Sequence, residues 1–422
     1  MRILWATNGT LPVIDEAQGK KPGYGGGWLV GLSEDLCKDE SIQLCVCYPS
    51  PVREEAAQGT VGRLSYYSIP CQKGNAVLRE EAIDAFYRTI KAFCPDVIHI
   101  WGTEYTHSYC AIMAAEKAGM LDSTVVSIQG LVSVIAHYYL AGVPAGEYIF
   151  PTLKDMVRRT SLPKEKRNFE KRGEYERLCL KKAKNVIGRT DWDRACMEDI
   201  NPDARYFFCN ETLRSAFYEH TWKYDKCEPH SIFASQAQYP LKGFHVLLQA
   251  VEKVKRRYPD VKVYTTGMDR ASNSLMNRLR RTTYDRYLHR LIIRLGLEDN
   301  VGFLGFLNEQ QMCSQFLKAN VFVSPSAIEN SPNSVGEAML LGVPVIATDV
   351  GGVKNLLRHE EEGLVCPFDD AYVLASYICR VFELEDRVDC FTKAAREHAG
   401  RTHNREENRK QMLTIYQNIA KT

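Results

Sequence analysis

The residues best placed to do chemistry in this 422-residue chain are two glutamates eight positions apart, Glu329 and Glu337. They lie in the stretch SPSAIENSPNSVGEAMLLGVPVIATDVGG, residues 324–352. Ser331 followed by Pro332 reads as an N-cap and a proline at the first helical position. The helix then runs to Leu341 and stops at Gly342. Glu329 precedes that helix and Glu337 sits in its second turn. The backbone N–H groups of Asn333, Ser334 and Val335 would open towards a ligand, where a helix N-terminus favours an anion such as phosphate. A carboxylate repels that anion but accepts strongly from neutral hydroxyls. Phosphate flanked by hydroxyls describes a nucleotide sugar, with Glu329 on the sugar and Glu337 on the ribose. Taken alone, Glu337 reads first as an ordinary early-helix acid favoured by the dipole; the surrounding residues reverse that.

Further candidates precede this pair. In SQAQYPLKGFHVLLQAV (235–251), Lys242-Gly243 stands at a helix start after a strand. A lysine there would put a positive charge on a diphosphate leaving group, the alternative being a solvated surface lysine. The loop GYGGGWL (23–29) offers Gly26 and Gly27 for close backbone approach to phosphate. It is not a dinucleotide fingerprint, because Trp28 replaces the third glycine and the next strand ends CVCY with no acid for a ribose. HIWGTEYTHSYC (99–110) supplies Glu104 and His107 as polar groups at a strand end, while His99 alternates with Ile98 and Ile100 like a core histidine. Asp191-x-Asp193 has the spacing of a metal pair, but a capped helix start explains TDWDR as well. No metal is expected. Residues 154–184 hold twelve Lys or Arg against five acids. That segment suits an anionic membrane surface, an anionic acceptor or a solvated helix pair, and the arginines of 270–294 allow the same readings.

These residues need a scaffold. Hydrophobic content of 45% and charged content of 25% are those of a globular protein, and a net charge of +2 implies no general affinity for nucleic acid. Fourteen cysteines are scattered without a C-x-x-C pair and read as reduced thiols of a cytosolic protein. MRILWATNG is not a signal peptide, and no apolar run reaches the ~20 residues of a membrane span. Short apolar strands alternate with helices in two series, before and after a polar break at 210–230. Each series implies a doubly wound parallel sheet. The expected domains are 1–212, including the irregular basic segment 131–184, then 213–403, then a C-terminal helix over 404–422. Asn404 would cap that helix, and Met412, Tyr416 and Ile419 form its apolar stripe. Ligands of such folds bind at the carboxyl edges of the strands.

Lys242-Gly243, VGFLG, SAIENSPNSVGEAMLLGVPVIA, Gly351-Gly352 and EEGLVCPFD follow one another in an order that resembles glycosyltransferase family 4, a retaining group with the two-Rossmann GT-B fold. The resemblance covers nearly the whole chain and is strongest over 230–370. It implies two Rossmann-like domains facing across a cleft, with the C-terminal helix crossing back to the first. It implies Glu329 at the donor sugar, Glu337 at the ribose and Lys242 at the diphosphate. Gly26 and Gly27 would border phosphates and acceptor, and the segment containing Phe306 would lie beside the base. Two positions depart from the family pattern. Gln236 stands where an arginine is common, and Gln129, followed by Gly130, stands where a histidine is common. Gln129 can bind a sugar hydroxyl but cannot act as an acid, which suits a front-face retaining reaction. The resemblance thus implies a metal-independent glycosyltransferase of hexosyl type that needs no cofactor. Its donor would be a nucleotide-diphosphate sugar and its acceptor a glycan or lipid-linked hydroxyl in bacterial surface polysaccharide or glycoconjugate synthesis. The scattered thiols place it in the cytoplasm, and the basic segment 154–184 would give peripheral membrane contact. A non-catalytic partner subunit or a sugar-nucleotide epimerase on the same fold are the alternatives.

Overall fold

The computed structural model describes residues 1–21, 27–50, 57–71, 80–158, 160–268 and 279–420. The chain divides into two compact units. The first comprises Met1–Ala136, Asn168–Leu213 and His403–Thr422; the second comprises His137–Arg167 and Arg214–Thr402.

The first unit is built on eight strands: β1 (Arg2–Ala6), β2 (Gln43–Ser50), β3 (Gln58–Val61), β4 (Leu64–Pro70), β5 (Val97–Trp101), β6 (Thr124–Ser127), β7 (Asn185–Gly188) and β8 (Arg205–Phe208). Their order is β3-β4-β2-β1-β5-β6-β7-β8, parallel throughout except for the antiparallel β3–β4 hairpin. Side chains alternate across the sheet. Leu4, Ala6, Ile98 and Ile100 enter one core, while Ile3, Trp5, Val97 and Trp101 enter the other. Burial on both faces explains why these strands read as continuous apolar runs. β3, QGTV, is short, polar and half-exposed, and nothing in its hydrophobic pattern announces it.

The C-terminal helix Arg405–Ile419 completes the second of these cores with Met412, Ile415, Tyr416 and Ile419. Asn404 caps it by accepting from the Glu407 N–H at 3.0 Å. Its Tyr416 hydroxyl is buried between the Trp5 indole Nε1 at 3.1 Å and His99 Nδ1 at 2.7 Å. His99 Nε2 reaches Ser127 Oγ at 2.6 Å, and its ring stacks on Trp101. His99 is therefore a satisfied core histidine, and burial holds its pKa well below the ordinary value.

The second unit carries β9 (Ser231–Ala234), β10 (Lys262–Thr265), β11 (Val301–Phe303), β12 (Val321–Ser324), β13 (Val345–Thr348) and β14 (Leu364–Cys366). Their order β11-β10-β9-β12-β13-β14 is the doubly wound order of dinucleotide-binding folds, with its switch point between β9 and β12.

Residues 137–167, expected in the first domain, pack instead within the second unit. The reason is a buried carboxylate. Asp155 accepts from the N–H and Oγ1 of Thr283, at 2.8 and 2.5 Å, at the N-terminus of the helix Thr283–Arg294. A helix N-terminus stabilises an anion there. Thr152 Oγ1 lies 2.8 Å from the Arg281 carbonyl, and Arg286 donates to the Phe150 carbonyl.

Replacing Tyr416 by Phe should orphan two buried polar groups, His99 and Trp5, and lower stability by roughly 1–3 kcal/mol. Urea denaturation followed by Trp fluorescence would measure this, and an unchanged midpoint would contradict it.

Candidate functional site

The switch point of the second unit gathers the charged candidates. After β9 the chain makes a short turn over Pro240–Lys242 and enters the helix Phe244–Lys255 through Gly243, at φ 63°. A Cβ at Gly243 would fall 1.7 Å from the Pro325 carbonyl oxygen, so only glycine lets this turn lie against the loop after β12. The Ala327 N–H donates to the Leu241 carbonyl at 2.8 Å and ties the two loops together. A second close approach occurs at Gly351, φ 52°, where a Cβ would meet the Glu329 carbonyl oxygen at 1.9 Å. Between these constraints Lys242 Nζ stands 2.5 Å from Glu329 Oε1, which also accepts from Ser326 Oγ at 2.7 Å. Burial works against the lysine's charge, but Glu329 outweighs it and holds the ammonium pKa above its ordinary value.

Glu337 is buried one helical segment further on. Its two oxygens take Arg214 Nε and Nη2 at 2.7 Å each, a bidentate pair. Burial pushes the Glu337 carboxyl up and Arg214 pulls it back. Glu309 contributes a second acid near this arginine and accepts from the Ala216 N–H at 2.9 Å. Arg214 and Glu309 carry no signal in the sequence. Arg214 lies in the aperiodic stretch NETLRSAF, and Glu309 reads as an ordinary first-turn helix acid.

The helix after β12 starts later than its sequence suggests. Pro332, not Ser331, is the N-cap, in extended conformation and with no side-chain cap bond. The Val335 N–H donates to the Pro332 carbonyl at 3.0 Å, so it is not the open donor expected. Asn333 and Ser334 begin the helix, half-buried, and Gly342 ends it at φ 81°. Gln236 is exposed after β9, and the Phe306 ring is 71% exposed after β11.

In the first unit, Glu104, Gln129 and Gly130 converge at the carboxyl ends of β5 and β6. At Gly102, φ 80°, a Cβ would lie 2.4 Å from Glu104 Oε2, so a side chain there would displace that carboxylate. Glu104 Oε2 is enclosed and accepts no hydrogen bond. Its carboxyl is pushed up to about 7, by burial first and by neighbouring Glu176. Glu176, on the helix Leu162–Lys182, takes Ser133 N and Oγ at 2.8 and 2.7 Å, Val132 N at 3.0 Å and Thr103 Oγ1 at 2.6 Å. The Gln129 amide donates to Glu211, which also pairs with buried Arg189 at 2.8 Å. His107 is buried in the helix Thr106–Lys117 beside Ser108, not on a solvated face. Gly26 lies outside the described residues, and Gly27 is the first residue of the helix Gly27–Lys38. Asp193 accepts from the Arg189 N–H at 2.9 Å and lies 2.5 Å from the Tyr206 hydroxyl, and Thr190 caps its helix. The acidic pair thus has a local structural role. Among the described residues no three His, Cys, Asp or Glu side chains gather as a metal site.

Residues 221–398 match the family model for glycosyl transferases group 1. The match covers most of the second unit and includes Lys242, Glu329 and Glu337. Over 179 residues the chain is 29% identical to the D-inositol 3-phosphate glycosyltransferase of Corynebacterium urealyticum, 42% of this chain and 41% of that one. Over 130 residues it is 28% identical to the amylovoran biosynthesis glycosyltransferase AmsK of Erwinia amylovora, 29% of this chain and 32% of that one. The chain thus spans less than half the length of these curated relatives. Its fold matches over 99% of its length that of sucrose-phosphate synthase from Thermosynechococcus elongatus, with 99% of that chain covered, TM-score 0.73 and 18% identity. It also matches Anabaena HepE in complex with UDP-glucose, covering 99% of this chain and 100% of that one, TM-score 0.68 and 16% identity. These neighbours share the GT-B fold, and with two parallel-sheet units this chain has it too.

Two outcomes follow from the charges. Arg214→Ala leaves Glu337 buried without its cation and should cost about 3–5 kcal/mol, with Glu337→Gln in the same chain restoring part of it; thermal melts of the single and double variants check this. Glu104 has a folded pKa near 7, above its ordinary value of 4.5, so its contribution to stability declines as pH rises through that interval. Glu104→Gln, neutral at every pH, should flatten this slope and gain on wild type by up to roughly 3 kcal/mol at pH 8 relative to pH 4.5. Parallel pH profiles for the two proteins would refute it.

Proposed function

We propose that the chain is a retaining glycosyltransferase of hexosyl type. It would transfer a sugar from a nucleotide-diphosphate sugar to an acceptor hydroxyl, without a cofactor or a bound metal. The observation that carries this reading is the Lys242–Glu329 ion pair at the switch point of the second unit, in the region matching the group 1 model, together with the buried Glu337–Arg214 pair. HepE is a structural neighbour captured with UDP-glucose, which supports a nucleotide-sugar donor here.

The chemistry follows from the side chains. Lys242 has three donors and can keep Glu329 while it meets the diphosphate. The bond from the sugar's C1 to the diphosphate oxygen breaks, and Lys242 stabilises the charge that develops on that oxygen. The acceptor hydroxyl forms its bond to C1 on the same face and passes its proton to the departing diphosphate. Glu329 holds the donor sugar's hydroxyls. Glu337 retains lone pairs beyond its bonds to Arg214 and takes the ribose hydroxyls. Asn333 and Ser334 lie at the helix N-terminus beside the phosphates. Val335 stays within that helix start, and Gln236 and the Phe306 ring complete the donor side. Gly26 and Gly27 would border the phosphates and acceptor.

Glu104, Gln129, Gly130 and His107 belong to the acceptor side. Glu104 is protonated over part of the neutral range and could donate a hydrogen bond to an acceptor oxygen. AmsK acts in amylovoran biosynthesis, which supports a glycan or lipid-linked acceptor in surface polysaccharide or glycoconjugate synthesis. Such an acceptor is consistent with a cytoplasmic protein working at the inner face of a membrane. No helix among the described residues is long and apolar enough to cross one.

A thermal-shift panel of nucleoside diphosphates and their sugars should identify one donor that stabilises the protein by mass action. Glu337→Gln should weaken that donor's binding roughly tenfold, and Lys242→Ala should slow transfer about a hundredfold or more. Undiminished donor affinity in Glu337→Gln would count against the ribose assignment. A product of inverted anomeric configuration, read by NMR, would exclude the retaining reaction.

A further inference from the structure

The short helix Leu153–Arg158 is inside out. Its one buried residue is Asp155, which is fastened to Thr283 as described above. At 100° per residue, Leu153, Met156 and Val157 lie on the side opposite Asp155. They are 64, 63 and 79% exposed. Ile149 and Phe150, just before the helix, are 61 and 71% exposed. Single exposed apolar residues are ordinary, but five large ones within nine positions form a patch that needs an occupant. The orientation is enforced, because turning the patch inward would pull Asp155 from two donors and bury it unpaired.

The flanks say what the occupant is. Lys154 and Arg158 border the apolar stripe on one side of the helix, and Lys164, Lys166 and Arg167 follow in the next helix. Besides buried Asp155, the acids of this stretch are Glu147, which is paired with Arg290, and Glu165. A second copy of the chain docked about a two-fold axis would bring these cations against their own counterparts. A surface with apolar depth and negative headgroups meets both halves of the patch at once.

We propose that Ile149, Phe150, Leu153, Met156 and Val157 insert into the interface of an anionic lipid bilayer, with Lys154 and Arg158 on its headgroups. The surface goes beyond the donor reading and does not rest on it, since a chain that turned over no nucleotide sugar would dock equally well.

Vesicle flotation of the full chain tests it, using phosphatidylcholine with and without phosphatidylglycerol as a third of the lipid. The wild type should float with the anionic vesicles, less so in high salt, and not with phosphatidylcholine alone. Leu153→Glu/Met156→Glu/Val157→Glu and, separately, Lys154→Glu/Arg158→Glu should each reduce bound protein roughly tenfold or more. Hydrogen exchange on the wild type needs no variant: amides of 149–157 should be protected by anionic vesicles and by no other addition. Failure to bind any vesicle, equal flotation of wild type and variants, or unchanged exchange would each overturn the proposal. So would a wild-type dimer in sedimentation that the Glu variants dissociate, which would make the patch a self-interface, or protection of 149–157 by a bound protein alone.

Discussion

The candidate site of the second unit depends on a backbone approach that only glycine permits. Lys242 and Glu329 are 87 residues apart and belong to the loops after adjacent strands β9 and β12. Their side chains meet because Gly243 lets the first loop lie on Pro325 and Gly351 lets a third loop lie on the Glu329 carbonyl. Any Cβ at either position would overlap a backbone oxygen, and a carbonyl cannot move aside as a flexible side chain can. The two glycines are therefore as much a part of the site as the ion pair they frame. The same device recurs in the first unit, where Gly173 brings its helix onto the Ser133 backbone.

The charges obey a common logic. Glu329 is matched by Lys242, Glu337 by Arg214 and Glu211 by Arg189. Buried carboxylates tolerate desolvation when each oxygen finds a cation or a donor. Glu176 meets that requirement with backbone and hydroxyl donors alone. Glu104 is the departure in its bonding, with one oxygen enclosed and unbonded, and burial raises its carboxyl to about 7. A buried carboxyl with an enclosed, unbonded oxygen is a place where a ligand's donor would be strongly felt.

Much of this was legible in the sequence. Alternating apolar strands and helices gave away two doubly wound sheets, because a strand buried on both faces has no polar positions to interrupt it. Asn404 and the stripe of the last helix could be read from capping chemistry and helical period. The grouping of Lys242, Glu329 and Glu337 came from motif order. Less regular features were hidden. β3 has no hydrophobic period, Arg214 sits in an aperiodic connection, and the Ser331-Pro332 pair promised a cap that the backbone places one residue later. The segment 137–167 was assigned by chain position to the first unit, whereas one carboxylate, Asp155, fixes it to the second.

What the sequence by itself determined is therefore whatever is encoded locally: strand and helix periods, caps, glycines at turns, and the residue types able to hold phosphate and hydroxyls. What only the tertiary structure decided is which charge meets which. Pairings such as Arg214 with Glu337 and Asp155 with Thr283 join residues 123 and 128 positions apart. No local propensity reports on such distances, because the geometry that brings the partners together exists only after the second unit has folded. The outward apolar face of Leu153–Arg158 is the clearest case. Its composition looks like any amphipathic turn, and its direction follows from a single buried aspartate.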